Sequence, residues 1–168
     1  MTFGRYRTLL EALFIVKRIP PWYRNIGKRL VKSPKMYFLD TPLMCHILGI
    51  EISTAAKENP SLFGKVCENF IASELLKQLT LFDDISLYHF RTQSQEEVDF
   101  VLERRDGAMI GIEVKCGESV NNDHFKGLKV LQASAGDQFR GGFVFYGGDH
   151  VLPFGKDLWA VPISILWS

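Results

Sequence analysis

The sequence predicts an α/β fold, and three observations predict it. A long apolar segment with helical spacing, 61–79, is followed by two runs with strand alternation, 97–103 and 110–115, and then by a helical segment that leads into an apolar strand, 143–146. The paired runs are the clearest. They flank Arg104-Arg-Asp-Gly107, and an Asp-Gly turn between alternating runs is a strong hairpin signal. Alternation puts Val98, Phe100 and Leu102 on one face and Asp99, Val101 and Glu103 on the other. In the second run Ile110, Ile112 and Val114 are apolar, while Glu113 and Lys115 share the opposite face. Asp99, Glu113 and Lys115 are therefore expected to converge.

The remaining elements follow in order. Tyr6 to Phe14 has helical spacing, and Phe14 to Ile19 reads as a strand ended by Pro20-Pro21. A second strand is expected from about Arg29 to Lys32. Met36 to Leu39 reads as a short buried strand, Thr41 as the N-cap of a short helix with Pro42 in its first turn, and Gly49 as its end. Ser61 to about Leu79 is apolar almost all round, as a buried helix is. Within it Glu68 interrupts the stripe of Ala72, Leu75 and Leu79. Glu74 does the same among Phe63, Cys67 and Phe70, so spacing alone does not choose between the two glutamates. After Lys115 a helix is expected over about Asn122 to Ala135, with Phe125, Leu128, Val130 and Leu131 inward. Phe143 to Tyr146 is a buried strand, and Leu158 to Val161 with Pro162 an edge strand, since proline cannot donate to a ladder. Gly141-Gly142 and Gly147-Gly148 read as turn material.

Two carboxylates and an ammonium at the hairpin's spacing suit a hard divalent cation such as Mg²⁺ or Mn²⁺, which takes oxygen ligands and keeps several waters. A neighbouring lysine can orient or help deprotonate an attacking water and offset charge on a phosphoryl transition state. The same three charges also fit a cross-strand ion pair on a solvated face. Against that, 110–116 is otherwise apolar, and a carboxylate buried there needs a partner or a metal.

At 168 residues, 46% hydrophobic and 23% charged, the chain can bury one ordinary core and is neither disordered nor membranous in composition. No apolar run reaches about 18 residues and no signal-peptide pattern opens the chain, so a cytoplasmic location is expected. Cys45, Cys67 and Cys116 are odd in number and set in apolar contexts, which predicts reduced core thiols. His46, His89, His124 and His150 lack paired metal spacing.

The net charge of +1 conceals an asymmetry. Residues 1–35 hold nine Lys or Arg against Glu11 alone, a charge of +8, and residues 36–168 hold eleven against eighteen, a charge of −7. This divides the chain into a basic arm, 1–35, and an acidic body, 36–168. Arg5, Arg7, Lys28, Arg29 and Lys32 are candidate DNA contacts, with Phe3, Tyr6, Trp22 and Tyr23 among them. The arm also suits an acidic protein surface, including that of a second copy.

Taken together, Phe63-Gly-Lys-Val-Cys-Glu68-Asn69 to Leu75, His89-Phe90-Arg91, Glu96-Glu97-Val98-Asp99-Phe100 and Ile112-Glu113-Val114-Lys115 resemble the uncharacterised C-terminal domain of many prokaryotic AAA-type ATPases. That domain is similar to the PD-(D/E)xK, restriction-endonuclease-like nucleases. Lys28 to Lys35 and Tyr37 to Thr41 resemble the stretch that links the two parts of those proteins. The resemblance implies a mixed central sheet flanked by helices in the order αβββαβ, preceded by a partial winged-helix-like segment. It implies Asp99 and Glu113 as metal ligands, Lys115 as the catalytic lysine, and Glu68 rather than Glu74 as the helix carboxylate that completes the shell. Val98 stands where the superfamily's name has proline, at a position that packs rather than reacts. No Gly-x-x-x-x-Gly-Lys-Ser/Thr loop is present, so no P-loop ATP site is expected in these residues.

Two functions follow as expectations. One is a Mg²⁺- or Mn²⁺-dependent nuclease acting on DNA, with Gln95 and Glu97 as supporting groups. The other is an inactive nuclease-like module that docks DNA or a protein, such as a partner ATPase, with the charges kept as a polar network. The apolar side of the arm is expected to be covered by the core, a second copy or a partner chain.

Overall fold

The structure, a computed structural model, describes residues 3–24 and 33–167. Helix α1 (Phe3–Ala12) leads into β1 (Val16–Ile19), which pairs antiparallel with β2 (Lys35–Phe38) in a two-stranded ribbon. Helices α2 (Thr41–Leu48), α3 (Ile52–Glu58) and α4 (Pro60–Leu79) follow, then β3 (Ile85–Arg91), β4 (Glu97–Arg104), β5 (Met109–Lys115), α5 (Lys126–Ala135), β6 (Phe139–Tyr146), β7 (Leu152–Gly155) and β8 (Leu158–Pro162). The last six strands form one mixed sheet in the order β3-β4-β5-β6-β8-β7. The β5–β6 and β6–β8 pairs are parallel and the others antiparallel.

Helices cover both faces of this sheet, as the apolar residues require. Ile71, Ala72 and Leu75 of α4 pack on Phe100, Ile112, Val114, Phe145 and Val161. On the opposite face Leu128 and Leu131 of α5, with Phe125, pack on Val98, Val101, Met109, Val144 and Tyr146. Burial of each such side chain contributes roughly 1.5–3 kcal/mol, so these two seams hold the layers together. Gly127 permits the closest approach: a Cβ there would stand 1.8 Å from the Glu97 carbonyl oxygen.

The arm is tied into the core. Ile19 and Tyr37 join the apolar layer under α4, and the expected division at 35/36 falls inside β2. After β1 the chain runs along the outer edge of β3: the Trp22 amide donates to the His89 carbonyl at 2.6 Å and the His89 amide to the Pro20 carbonyl at 3.0 Å. The strand expected at Arg29 to Lys32 lies outside the described residues. Tyr6, Leu9, Leu13 and Phe14 remain exposed on and just after α1.

Several expectations need correction. Asp40, not Thr41, caps α2, its carboxylate accepting from the Leu43 amide at 2.7 Å, because Thr41 already has helical backbone. Helix α3 was not anticipated, although Ala55-Ala-Lys-Glu58 are good helix formers. Strand β8 is not an edge strand, since β7 pairs outside it, and Pro162 is tolerated because it is the last residue of the ladder. Gly141 and Gly142 lie inside β6 rather than in a turn, and a Cβ on Gly142 would meet Leu158 Cδ2 at 2.7 Å. Cys67 and Cys116 are paired as a disulfide, with Cα atoms 6.6 Å apart, where separate thiols were expected; Cys45 is free and buried. The packing that brings α4 onto the end of β5 brings these two sulfurs together. No described helix is long and apolar enough to cross a membrane.

Candidate functional site

The site forms where β4 and β5 part. Their ladder runs from Glu103↔Met109 to Phe100↔Ile112, and the β3–β4 pairing shifts by one residue between Tyr88↔Val101 and Phe90↔Val98. An extra residue in β4 is a bulge, which re-aims side chains locally. Val98 and Val101 consequently face the same layer, against the strict alternation expected from the sequence, and the Asp99 carboxylate turns toward β5. Asp99 Oδ2 accepts the Val114 amide at 3.0 Å. Asp99 is 8% exposed, so this bond and its other contacts decide its charge.

Glu113 and Lys115 lie at the end of β5, with Lys115 Nζ 2.8 Å from Glu113 Oε1. Glu113 Oε2 is enclosed and has no hydrogen-bond partner among the described residues. From α4, Glu68 reaches the same place, and Glu74 does not: it pairs at 2.6 Å with Lys77. These groups line one cleft of about 540 Å³ with Glu97 and residues of the α3–α4 region, including Ser61, Phe63 and Lys65.

Two residues of the ribbon complete the cluster and were missed as site residues. Lys35 Nζ lies 2.9 Å from Glu68 Oε1, 3.2 Å from Asp99 Oδ1 and 3.8 Å from Glu97 Oε2. The buried Tyr37 hydroxyl donates to the same Glu68 oxygen at 2.5 Å. Lys35 and Tyr37 are two apart on β2 and so share a face. That spacing was legible, but the reading that placed Lys35 in a basic arm gave no reason to look for it beside carboxylates. Glu97 is also held at 2.9 Å by Arg91, whose guanidinium contacts Gln95 as well.

Of the basic candidates, Arg5 and Arg7 lie on α1 and do not line the cleft, with Arg5 exposed and Arg7 half-buried. Lys28, Arg29 and Lys32 lie outside the described residues.

Burial governs the electrostatics. It raises the Asp99 pKa, with the Glu68 charge adding to the shift and Lys35 and the Val114 amide opposing it. Burial, then Asp99, pushes Glu113 up to about 7, offset in part by Lys115. Burial pulls both lysines down, but Asp99 and Glu68 around Lys35, and Glu113 beside Lys115, more than compensate and leave them raised. Burial and then Glu68 raise Tyr37, and burial and then Lys35 hold His89 down at about 4.

The donor set fits a divalent cation. Asp99, Glu113 and Glu68 carry oxygens of the hard type that such a cation takes, and Glu113 Oε2 is an enclosed acceptor that a cation would satisfy. As the side chains stand, no three acidic, histidine or cysteine groups among the described residues surround one point closely enough to ligate an ion. Lys35 stands between Glu68 and Asp99.

Residues 63–166 match the family described as Domain of unknown function (DUF4143), and residues 1–54 match one described as Domain of unknown function (DUF8612). The chain belongs to the DUF4143 family. It is 33% identical over 163 residues to two curated relatives, the uncharacterized proteins Mb2031c of Mycobacterium bovis and Rv2008c of Mycobacterium tuberculosis. The match covers 96% of this chain and 34% of each relative, so the chain spans about a third of their length. A solved assembly of Thermococcus gammatolerans McrB AAA+ hexamers with bound McrC contains a chain that is similar over 59% of this one and 27% of its own length. The sequence identity there is 14% and the TM-score 0.40, too low to transfer anything. Every residue of the carboxylate cluster from Glu68 to Lys115 lies in the DUF4143 segment, and Lys35 and Tyr37 lie in the DUF8612 segment.

Proposed function

We propose that this chain is a metal-dependent phosphodiesterase domain of the PD-(D/E)xK, restriction-endonuclease-like type, with DNA as substrate. One observation carries the reading: Asp99, Glu113, Lys115 and Glu68, from two strands and a helix, meet in one cleft at the place where β4 and β5 separate. The element order α4-β3-β4-β5-α5-β6 agrees with that type.

Asp99 and Glu113 would hold Mg²⁺ or Mn²⁺, with Glu68 as a third ligand directly or through water. When bound, the ion polarises the phosphate and lowers the pKa of a coordinated water. Lys115 is an ammonium paired at 2.8 Å with Glu113, so it donates hydrogen bonds. Its role is to orient the attacking water and stabilise charge on the phosphate oxygens, and not to remove a proton. Asp99 is fixed by the Val114 amide, which holds one oxygen in place and leaves the other for the site.

Nucleic acid would approach past the half-exposed Lys115 and the exposed Lys65, with Arg5 and Arg7 as more distant contacts. The resemblance of this chain's motifs to the C-terminal domain of AAA-type ATPases suits a domain that works attached to, or beside, an ATPase. The exposed Tyr6, Leu9, Leu13 and Phe14 suit a covering partner or second copy, which light scattering would detect as a mass above 19.2 kDa.

A second reading has its own support. Lys35 already pairs Glu68 and Asp99, as in a polar network kept for docking. Cleavage of labelled single- and double-stranded DNA with Mg²⁺ or Mn²⁺ separates the two. Metal-dependent cutting by the wild type that is lost in Asp99→Ala and Lys115→Ala is the result expected. Equal inertness of all three proteins, with DNA binding retained, would replace catalysis by docking.

A further inference from the structure

We propose that Lys35 is the resident counter-ion of the carboxylate cluster and that a divalent cation must displace it from Glu68 and Asp99. The proposal rests on the reading of this cluster as a cation site. Its observation is different, however: an ammonium delivered from another part of the chain stands among the ligands. Lys35 opens β2, paired with Ile19, and its Nζ contacts one oxygen of Glu68 at 2.9 Å and one of Asp99 at 3.2 Å, with Glu97 at 3.8 Å.

Two positive ions cannot share these oxygens closely, because their repulsion at a few ångströms is large in a partly buried site. A metal that takes Asp99 Oδ1 and Glu68 Oε1 would therefore occupy the place of the ammonium. The fold provides somewhere for the lysine to go. Lys35 also lines a neighbouring cleft of about 520 Å³ with Pro21, Tyr23, His89, Arg91 and Gln95, and its side chain is 26% exposed. Tyr37 would keep Glu68 in place when Lys35 leaves, since its hydroxyl bonds Glu68 Oε1 independently. Metal entry would then be coupled to the β1–β2 ribbon, which carries Lys35 but none of the expected metal ligands.

The coupling predicts competition. Removing the ammonium relieves the metal of a rival, so Lys35→Met, which keeps the stem, binds Mn²⁺ about tenfold or more tightly than the wild type in calorimetry. Lys35→Arg keeps the charge and gains no affinity. In the wild type, acetylation of Lys35 by an amine-reactive ester, followed by mass spectrometry, accelerates under saturating Mn²⁺, while the exposed Lys57 reacts at a constant rate. Equal or weaker Mn²⁺ binding by Lys35→Met would overturn the displacement and leave the cation site standing. No Mn²⁺ binding by either protein would overturn both. If Lys35→Met does not fold, the acetylation decides alone: an unchanged or slower rate at Lys35 with Mn²⁺ would overturn the proposal.

Discussion

The carboxylate of Asp99 accepts the backbone amide of Val114 at 3.0 Å, beyond the last main-chain pair of the β4–β5 ladder at Phe100↔Ile112. A side chain thus takes the place of a strand carbonyl. The buried amide is satisfied and the carboxylate is fixed in one orientation by the same bond. Loss of that acceptor leaves a buried donor unpaired, which costs about 1–3 kcal/mol. Asp99→Ala should therefore unfold at lower urea than Asp99→Asn, which keeps an oxygen for the Val114 amide. Equal midpoints would mean that the amide finds another partner.

Glu113 predicts a pH dependence with a definite sign. Its folded-state pKa is pushed from 4.5 up to about 7, so the folded state holds the proton more tightly than the unfolded state. The stabilisation is fully present below about pH 4.5 and is lost as pH rises toward 7. The full swing is on the order of 3 kcal/mol. Urea unfolding of the metal-free protein across this range should show stability falling, and Glu113→Gln should flatten that slope. Metal binding needs the carboxylate free of its proton, so Mn²⁺ affinity should rise over the same interval.

Gly127 sets how closely α5 can approach β4. A methyl group there would overlap the Glu97 carbonyl, so helix or strand must shift. Gly127→Ala should lower stability by about 1–3 kcal/mol or more, read by thermal melting. Glu97 begins the strand that carries Asp99, so metal affinity should fall with it.

Tyr37 donates to Glu68 from a buried position, and a hydrogen bond to a charged group contributes about 1.5–3 kcal/mol. Tyr37→Phe should destabilise the protein within that range in urea unfolding while leaving the ribbon paired.

Much of the site was legible in the sequence, and the failures have physical causes. The hairpin was readable because turn chemistry and two-residue alternation agree from Phe100 onward. Glu113 and Lys115 could be placed together from parity alone. Parity misjudged the neighbourhood of Asp99, since a bulge shifts the face of Val98 and no residue type announces it. Spacing could not separate Glu68 from Glu74, because both interrupt apolar stripes on a helix that is apolar nearly all round; the resemblance chose Glu68, and the fold places it in the cleft. Lys35 escaped because charge was counted by segment, and a segment's net charge does not reveal that one lysine crosses the sheet's edge to meet carboxylates 33 and 64 residues away. Strand β8 was misplaced at the edge because proline at its last residue looks the same in sequence as proline on an exposed strand.

Calorimetric titration of Mn²⁺ into the wild type and Glu113→Gln tests most directly whether Asp99 and Glu113 converge on a cation. The site described here predicts saturable binding by the wild type and an affinity about tenfold or more lower in the variant. Equal binding by both proteins, or none by either, would contradict it.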